Sequence, residues 1–258
     1  MNIYLSGLLW MLGAAVVGGG TAYLVRRFGH DEGRLDNNDA AGQVFTIISG
    51  LHAVLVAFVL ISLFDAVHAA RDGLRHEADS VIAAVWAADS LPSSASEQVR
   101  AISASYLETV IQREWPQIRA GDEVTGPGWT QLQQLHRTIN KAPIQTDDEY
   151  YATQKTEAVR QVLATYQARE ERITRLVHGD VGTVVWFALV LGGVIATLLP
   201  NLFGGTKMMT HVVIVSTLAG TIALLLFAIH QLQNPFGGAA RVEPEAFESA
   251  LERLRQAP

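Results

Sequence analysis

Four long apolar runs, grouped two and two, bracket a polar stretch that extends from residue 65 to residue 180. The runs cover residues 3–25, 44–64, 181–203 and 208–232. A helix rises about 1.5 Å per residue and a bilayer core is about 30 Å thick, so each run is long enough to cross a membrane. The first lacks a basic leader and is followed by Arg26 and Arg27 rather than by a small-residue cleavage site, so it is expected to remain as a spanning helix. The pattern therefore predicts an all-α integral membrane protein with four transmembrane helices. Its parts are a first transmembrane pair (1–64), a soluble helical bundle (65–180), a second pair (181–232) and a C-terminal segment (233–258).

Between the first two spans, residues 26–43 are rich in Gly, Asn and Asp, as expected of a solvated loop. Span two has no break at its end. Apolar residues continue at Val67, Ala70, Leu74, Val81, Ile82, Val85 and Trp86, mostly three and four apart, with Gly73 the one weak point. One continuous helix is thus expected to run on to about Leu91-Pro92. Further helices are predicted at 95–115, 128–140 and 146–178, separated by Pro116, by residues 121–128 and by Ala142-Pro143. The last of these sets Val159, Val162, Leu163, Tyr166, Ile173 and Leu176 on one stripe and leaves Arg169, Glu170, Glu171 and Arg172 mostly outside it. It enters span three through His178-Gly179-Asp180. The bundle is accordingly expected to extend spans two and three.

Composition narrows the function. Of the 258 residues, 49% are hydrophobic and 17% charged, below the roughly 25% charge of a soluble domain. A net charge of -6 argues against a nucleic-acid partner, which would need a basic face. Without cysteine there is no disulfide, thiolate metal site or cysteine nucleophile. His68, His76, His136 and His178 are dispersed, and His76-Glu77 has no second histidine at zinc-hydrolase spacing. Phosphate-loop and serine-elbow patterns are missing as well. Neither a metal, a cofactor nor an enzymatic activity is expected.

Several residues carry a choice of readings. His52 lies inside span two, where a polar group is costly: it is a functional candidate, or a neutral imidazole hydrogen-bonded to a neighbouring helix. Ser49, Ala53 and Ala57 form one small-residue row, and Ala14, Gly18 and Ala22 another; both suit close helix packing. Asp65, just past span two, marks the interface or forms a ring of charge at a pore entrance. Glu114 and Trp115, before Pro116, read as a buried structural pair. Near the C-terminus, Phe247, Leu251 and Leu254 share one face of a short amphipathic helix expected to dock on the bundle.

Three separated stretches, EADSVIAAVWAADSLP, YLETVIQREWPQI and QNPFGGAARVEPEAFESAL, resemble in order and spacing the bacterial membrane family called bestrophin-like. Asn234-Pro235-Phe236-Gly237 is also similar to a motif of the true bestrophins, which are pentameric anion channels. The resemblance implies a homo-oligomer, a tetramer or pentamer in the lipid bilayer, that conducts ions with chloride as the candidate. Carried over residue by residue, it places a pore neck at Gly50, Val54 and Phe58. This chain departs from the bestrophin pattern in that only Phe58 is bulky. The acidic calcium-binding run that follows the motif in animal bestrophins is replaced here by Gly238-Ala239-Ala240-Arg241-Val242, so calcium gating is not expected. At about 100° per residue, His52 stands about 200° from Gly50, and one of the two faces must be packed; the apolar face is expected to be the pore.

Near the spans, Arg26, Arg27, Arg34 and Lys207 lie on one side of the membrane. Arg71, Arg75, Arg169, Arg172, Arg175 and Arg241 lie on the other, so the bundle and both termini are expected on the cytoplasmic side of a bacterial inner membrane. Residues 65–180 hold 12 Lys and Arg against 17 Asp and Glu, which works mildly against anions. The alternative function is a non-conducting membrane scaffold or sensor whose bundle binds a partner.

Overall fold

In the computed structural model the described residues are 3–28, 38–143, 149–178, 181–202, 207–237 and 241–256. Most of the first loop, the start of the helix predicted from residue 146, and residues 179–180, 203–206 and 238–240 lie outside them. All elements among the described residues are helical: α1 (Ile3–Phe28), α2 (Asn38–Ala88), α3 (Ser93–Thr109), α4 (Trp115–Ala120), α5 (Gly128–Lys141), α6 (Glu149–His178), α7 (Thr183–Leu198), α8 (Met208–Leu232) and α9 (Glu245–Gln256). Helices α1, α2 and α8, and α7 with the turn after it, are long and apolar enough to cross a membrane. The protein is a multi-pass membrane protein. Two compact units share the chain: residues 1–65 with 180–233, and residues 66–179 with 234–258.

In the membrane unit α1 lies along α8, and the contact is made by missing side chains. A Cβ on Gly18 would stand 2.6 Å from Cβ of Ala219, and one on Gly19 would strike Oγ of Ser216. Ala22 is buried in the same seam, so the row Ala14, Gly18 and Ala22 packs α1 within the chain. The other small row does not: Ala53 and Ala57 are exposed on α2. About 90° round the helix from them α2 contributes Val56 and Leu63 to a cluster with Leu189 of α7 and Ile229 of α8. Helix α7 tightens into a 3-10 turn at Leu199–Leu202, where Pro200 has no N–H to continue the α pattern. Three threonine hydroxyls are satisfied locally: Thr21, Thr197 and Thr217 each donate to the carbonyl four residues back.

In the bundle unit Val67, Ala70, Leu74, Val81, Ile82 and Val85 of α2 are buried. Trp86 departs from the expected stripe and is 63% exposed, because it follows Val85 by one residue and so points about 100° away. Pro116 does not end a helix. The preceding turn, Val110–Glu114, is wound as a π-helix, which absorbs the N–H that proline lacks and lets the chain run on into α4. Gly121 then closes α4 with φ of 78°, a left-handed cap that glycine adopts without strain.

Helix α6 is turned from its expected orientation. Its buried stripe is Ala158, Val162, Thr165, Arg169 and Arg172, spaced alternately by four and three, while Leu163 and Tyr166 lie on the open side. Apolar letters alone cannot show this, since two arginines occupy core positions. Phe247, Leu251 and Leu254 of α9 are buried against the bundle.

Replacing Gly18 by Leu overpacks the seam between α1 and α8 and should cost about 1–3 kcal/mol, read as a lower Tm of the detergent-solubilised protein. Gly20→Leu is the control. A Cβ there meets nothing within 4 Å, and its Tm should match the parent's.

Candidate functional site

Helix α2 presents two unlike faces inside the membrane unit. His52 packs against α7, where a Cβ on Gly192 would stand 2.5 Å from Nδ1 and one on Gly193 3.8 Å from Nε2. Only a glycine at position 192 leaves room for the ring. Nδ1 has no hydrogen-bond partner among the described residues, so the contact with the neighbouring helix is steric rather than the expected hydrogen bond.

The face carrying Gly50, Val54 and Phe58 is open: nothing lies within 4 Å of a Cβ on Gly50, and Val54 and Phe58 are 53% and 68% exposed. At about 100° per residue, Gln43, Gly50, Val54, Ile61 and Asp65 fall within a sector of about 60°, with Phe58 at its edge. All are exposed. This is a single apolar stripe with a polar residue at each end.

Sequence reasoning missed a second site, in the bundle. Arg172 of α6 donates from Nε and Nη2 to Glu77 of α2 at 2.8 and 3.0 Å, and Tyr106 of α3 donates its hydroxyl to the same carboxylate at 2.5 Å. Arg169 grips Glu114, on the π-turn, through two hydrogen bonds of 2.6 and 2.7 Å. Arg172 also reaches Glu114 at 3.3 Å, joining the two pairs. Relative exposure is 3% or less for all four charged residues.

Aromatic rings close the site. The Arg169 guanidinium lies 4.7 Å from the Trp129 ring centroid and that of Arg172 5.6 Å from Phe247. Gly128 is required here, since a Cβ would stand 2.5 Å from Oε1 of Glu114 and 2.6 Å from Cζ of Arg169.

Asn234-Pro235-Phe236-Gly237 belongs to this same core. Asn234 Oδ1 accepts from the backbone N–H groups of Phe236 and Gly237, both at 3.0 Å, folding the segment into a turn. The turn delivers Phe236 edge-on to Trp115, with ring centroids 5.8 Å apart, and Phe247 meets the same indole at 6.3 Å. The three stretches singled out in the sequence therefore converge on one place: Glu77 from the first, Tyr106, Glu114 and Trp115 from the second, Phe236 and Phe247 from the third. Spacing within each stretch gave no hint of it; the signal was a pair of arginines three apart on α6.

The electrostatics are those of a lock. Burial works against the charged form of Glu114, but the hydrogen bonds and charge of Arg169, aided by Arg172, outweigh it and hold the carboxyl below its ordinary range. Burial likewise opposes the charge of Arg172, which Glu77 more than restores. Tyr106 is pushed well up, by burial first and then by the Glu77 charge, and stays a neutral donor. Among the described residues no group of three or more His, Asp or Glu side chains is arranged to hold a metal.

The family model of the bestrophin-like domain matches residues 12–247, nearly the whole chain, and the protein belongs to that family. No curated protein and no solved structure gives a match.

Arg169→Ala leaves Glu114 buried without its closest partner and should destabilise the bundle by about 3–5 kcal/mol in denaturant unfolding. A carboxyl with a lowered folded pKa stabilises fully above its ordinary value of 4.5 and loses that contribution as pH falls through the folded value. Thermal melts should accordingly be insensitive to pH near neutrality and drop below about pH 4.5. Glu114→Gln should start less stable and show a shallower acid drop.

Proposed function

We propose that this bestrophin-like protein is an oligomeric ion channel of a bacterial inner membrane, with copies of α2 around the pore. The observation that supports this best is the open stripe of α2: apolar at Gly50, Val54 and Phe58, polar at Gln43 and Asp65, and uncovered by any described residue. Exposed Ala53 and Ala57 beside it would let neighbouring copies approach closely. His52 is packed on α7 and so forms part of the wall's support rather than the pathway.

In this reading Phe58 is the narrowest ring and gates by excluding water. Asp65 forms a ring of charge at one mouth. Family membership makes chloride the first ion to test, while the acidic bundle pulls toward cations. The protein acts as a conduit and not as an enzyme, with the bundle and both termini in the cytoplasm.

Purified protein reconstituted in planar bilayers should conduct, and Phe58→Ala should raise the single-channel conductance. Mass measurement in detergent should give a tetramer or pentamer. A monomer or dimer that is silent in repeated recordings would favour the non-conducting scaffold, in which the bundle binds a partner.

A further inference from the structure

The bundle unit contains a groove of about 550 Å³ between α2 and the C-terminal segment, unconnected with the ionic lock. Arg71 and Arg75, one turn apart on α2, form one wall, and Arg241 and Arg253 stand on the other. Between them lie the floor residues Leu74 and Ala246 and the hydroxyl of Ser249. We infer that this groove binds a phosphate-bearing anion through its arginines.

The charge arrangement supports an anion. Four guanidinium groups line the groove against the carboxylates of Asp79, Glu243 and Glu245. Two of the three acids are engaged: Glu243 accepts from Arg241 Nε at 2.6 Å, and Asp79 lies 3.7 Å from Arg253. Arg71 makes no ion pair with a described residue. Arg75 has only Asp72, at 3.7 Å, with both side chains more than 70% exposed. A solvated pair of that kind is worth about 0–1 kcal/mol and gives way to a stronger acceptor.

A guanidinium presents its N–H groups as a planar fork that fits a tetrahedral oxyanion, and two forks one helical turn apart can hold two edges of one phosphate. The position in the chain suits such a ligand as well. Arg71 follows the apolar run of α2 by seven residues and Arg241 follows α8 by nine, the juxtamembrane range in which basic side chains meet anionic headgroups. A lipid phosphate and a soluble phosphate ester present the same chemistry here.

The full-length protein in phosphatidylcholine nanodiscs serves for the test. One arm titrates inorganic pyrophosphate by calorimetry. The other exchanges part of the lipid for phosphatidylglycerol and follows Tm. Saturable binding of pyrophosphate or a Tm rise with phosphatidylglycerol is expected, and which arm responds tells a soluble from a lipid source. Arg71→Gln/Arg75→Gln should weaken pyrophosphate binding at least tenfold or abolish the lipid-dependent rise, while Arg119→Gln/Arg137→Gln, exposed outside the groove, should behave as the parent. No saturable response in either arm, or an undiminished response in the Arg71/Arg75 variant, overturns the site.

Discussion

Removing a guanidinium from water costs several kcal/mol, and the bundle does this twice, at Arg169 and Arg172. Such burial is tolerable only where carboxylates meet the charge in good geometry, and this requirement dictates much of the unit around it. Glu114 has to come from a π-turn, Gly128 must lack a side chain, and Tyr106 has to stay protonated to share Glu77. Well-packed apolar residues could supply as much stability. What the ionic core adds is selectivity of arrangement: helices α2, α3 and α6 fit together in one register, since a slip of one residue on α6 strands two charges in an apolar interior.

The helical layout was legible because bilayer-length apolar runs and helix punctuation are local signals. The start of α1, both ends of α8 and the buried face of α9 agree with their sequence expectations closely. What stayed hidden depends on partners distant in sequence. Arg169 and Arg172 look like solvent residues until Glu114 and Glu77, 55 and 95 positions away, come beside them. Pro116 looks like a stop until the π-turn before it is seen, and Trp86 counts as core only by its hydrophobicity.

Inside the membrane the same limit holds in another form. A period of 3.6 residues shows that His52 and Gly50 oppose each other but not which face meets α7. Gly192 decides it, and it lies 140 positions along the chain. Small residues thus do two jobs in this protein: Gly18 and Gly19 bring α1 onto α8, and Gly192 makes room for a ring. Ala53 and Ala57, of the same type, remain uncovered.

The bundle unit is assembled from two separated stretches of chain, residues 66–179 and 234–258, and the second supplies Phe236 and Phe247 for the faces of Trp115. This sets an order of biogenesis. When the ribosome has finished α6 all four charges of the lock exist, yet the indole still lacks both of its aromatic neighbours. Two more membrane spans have to be made before they arrive. Completion of the bundle core therefore requires that α7 and α8 have been synthesised, and a chain truncated before Asn234 would carry four spans and an unfinished core.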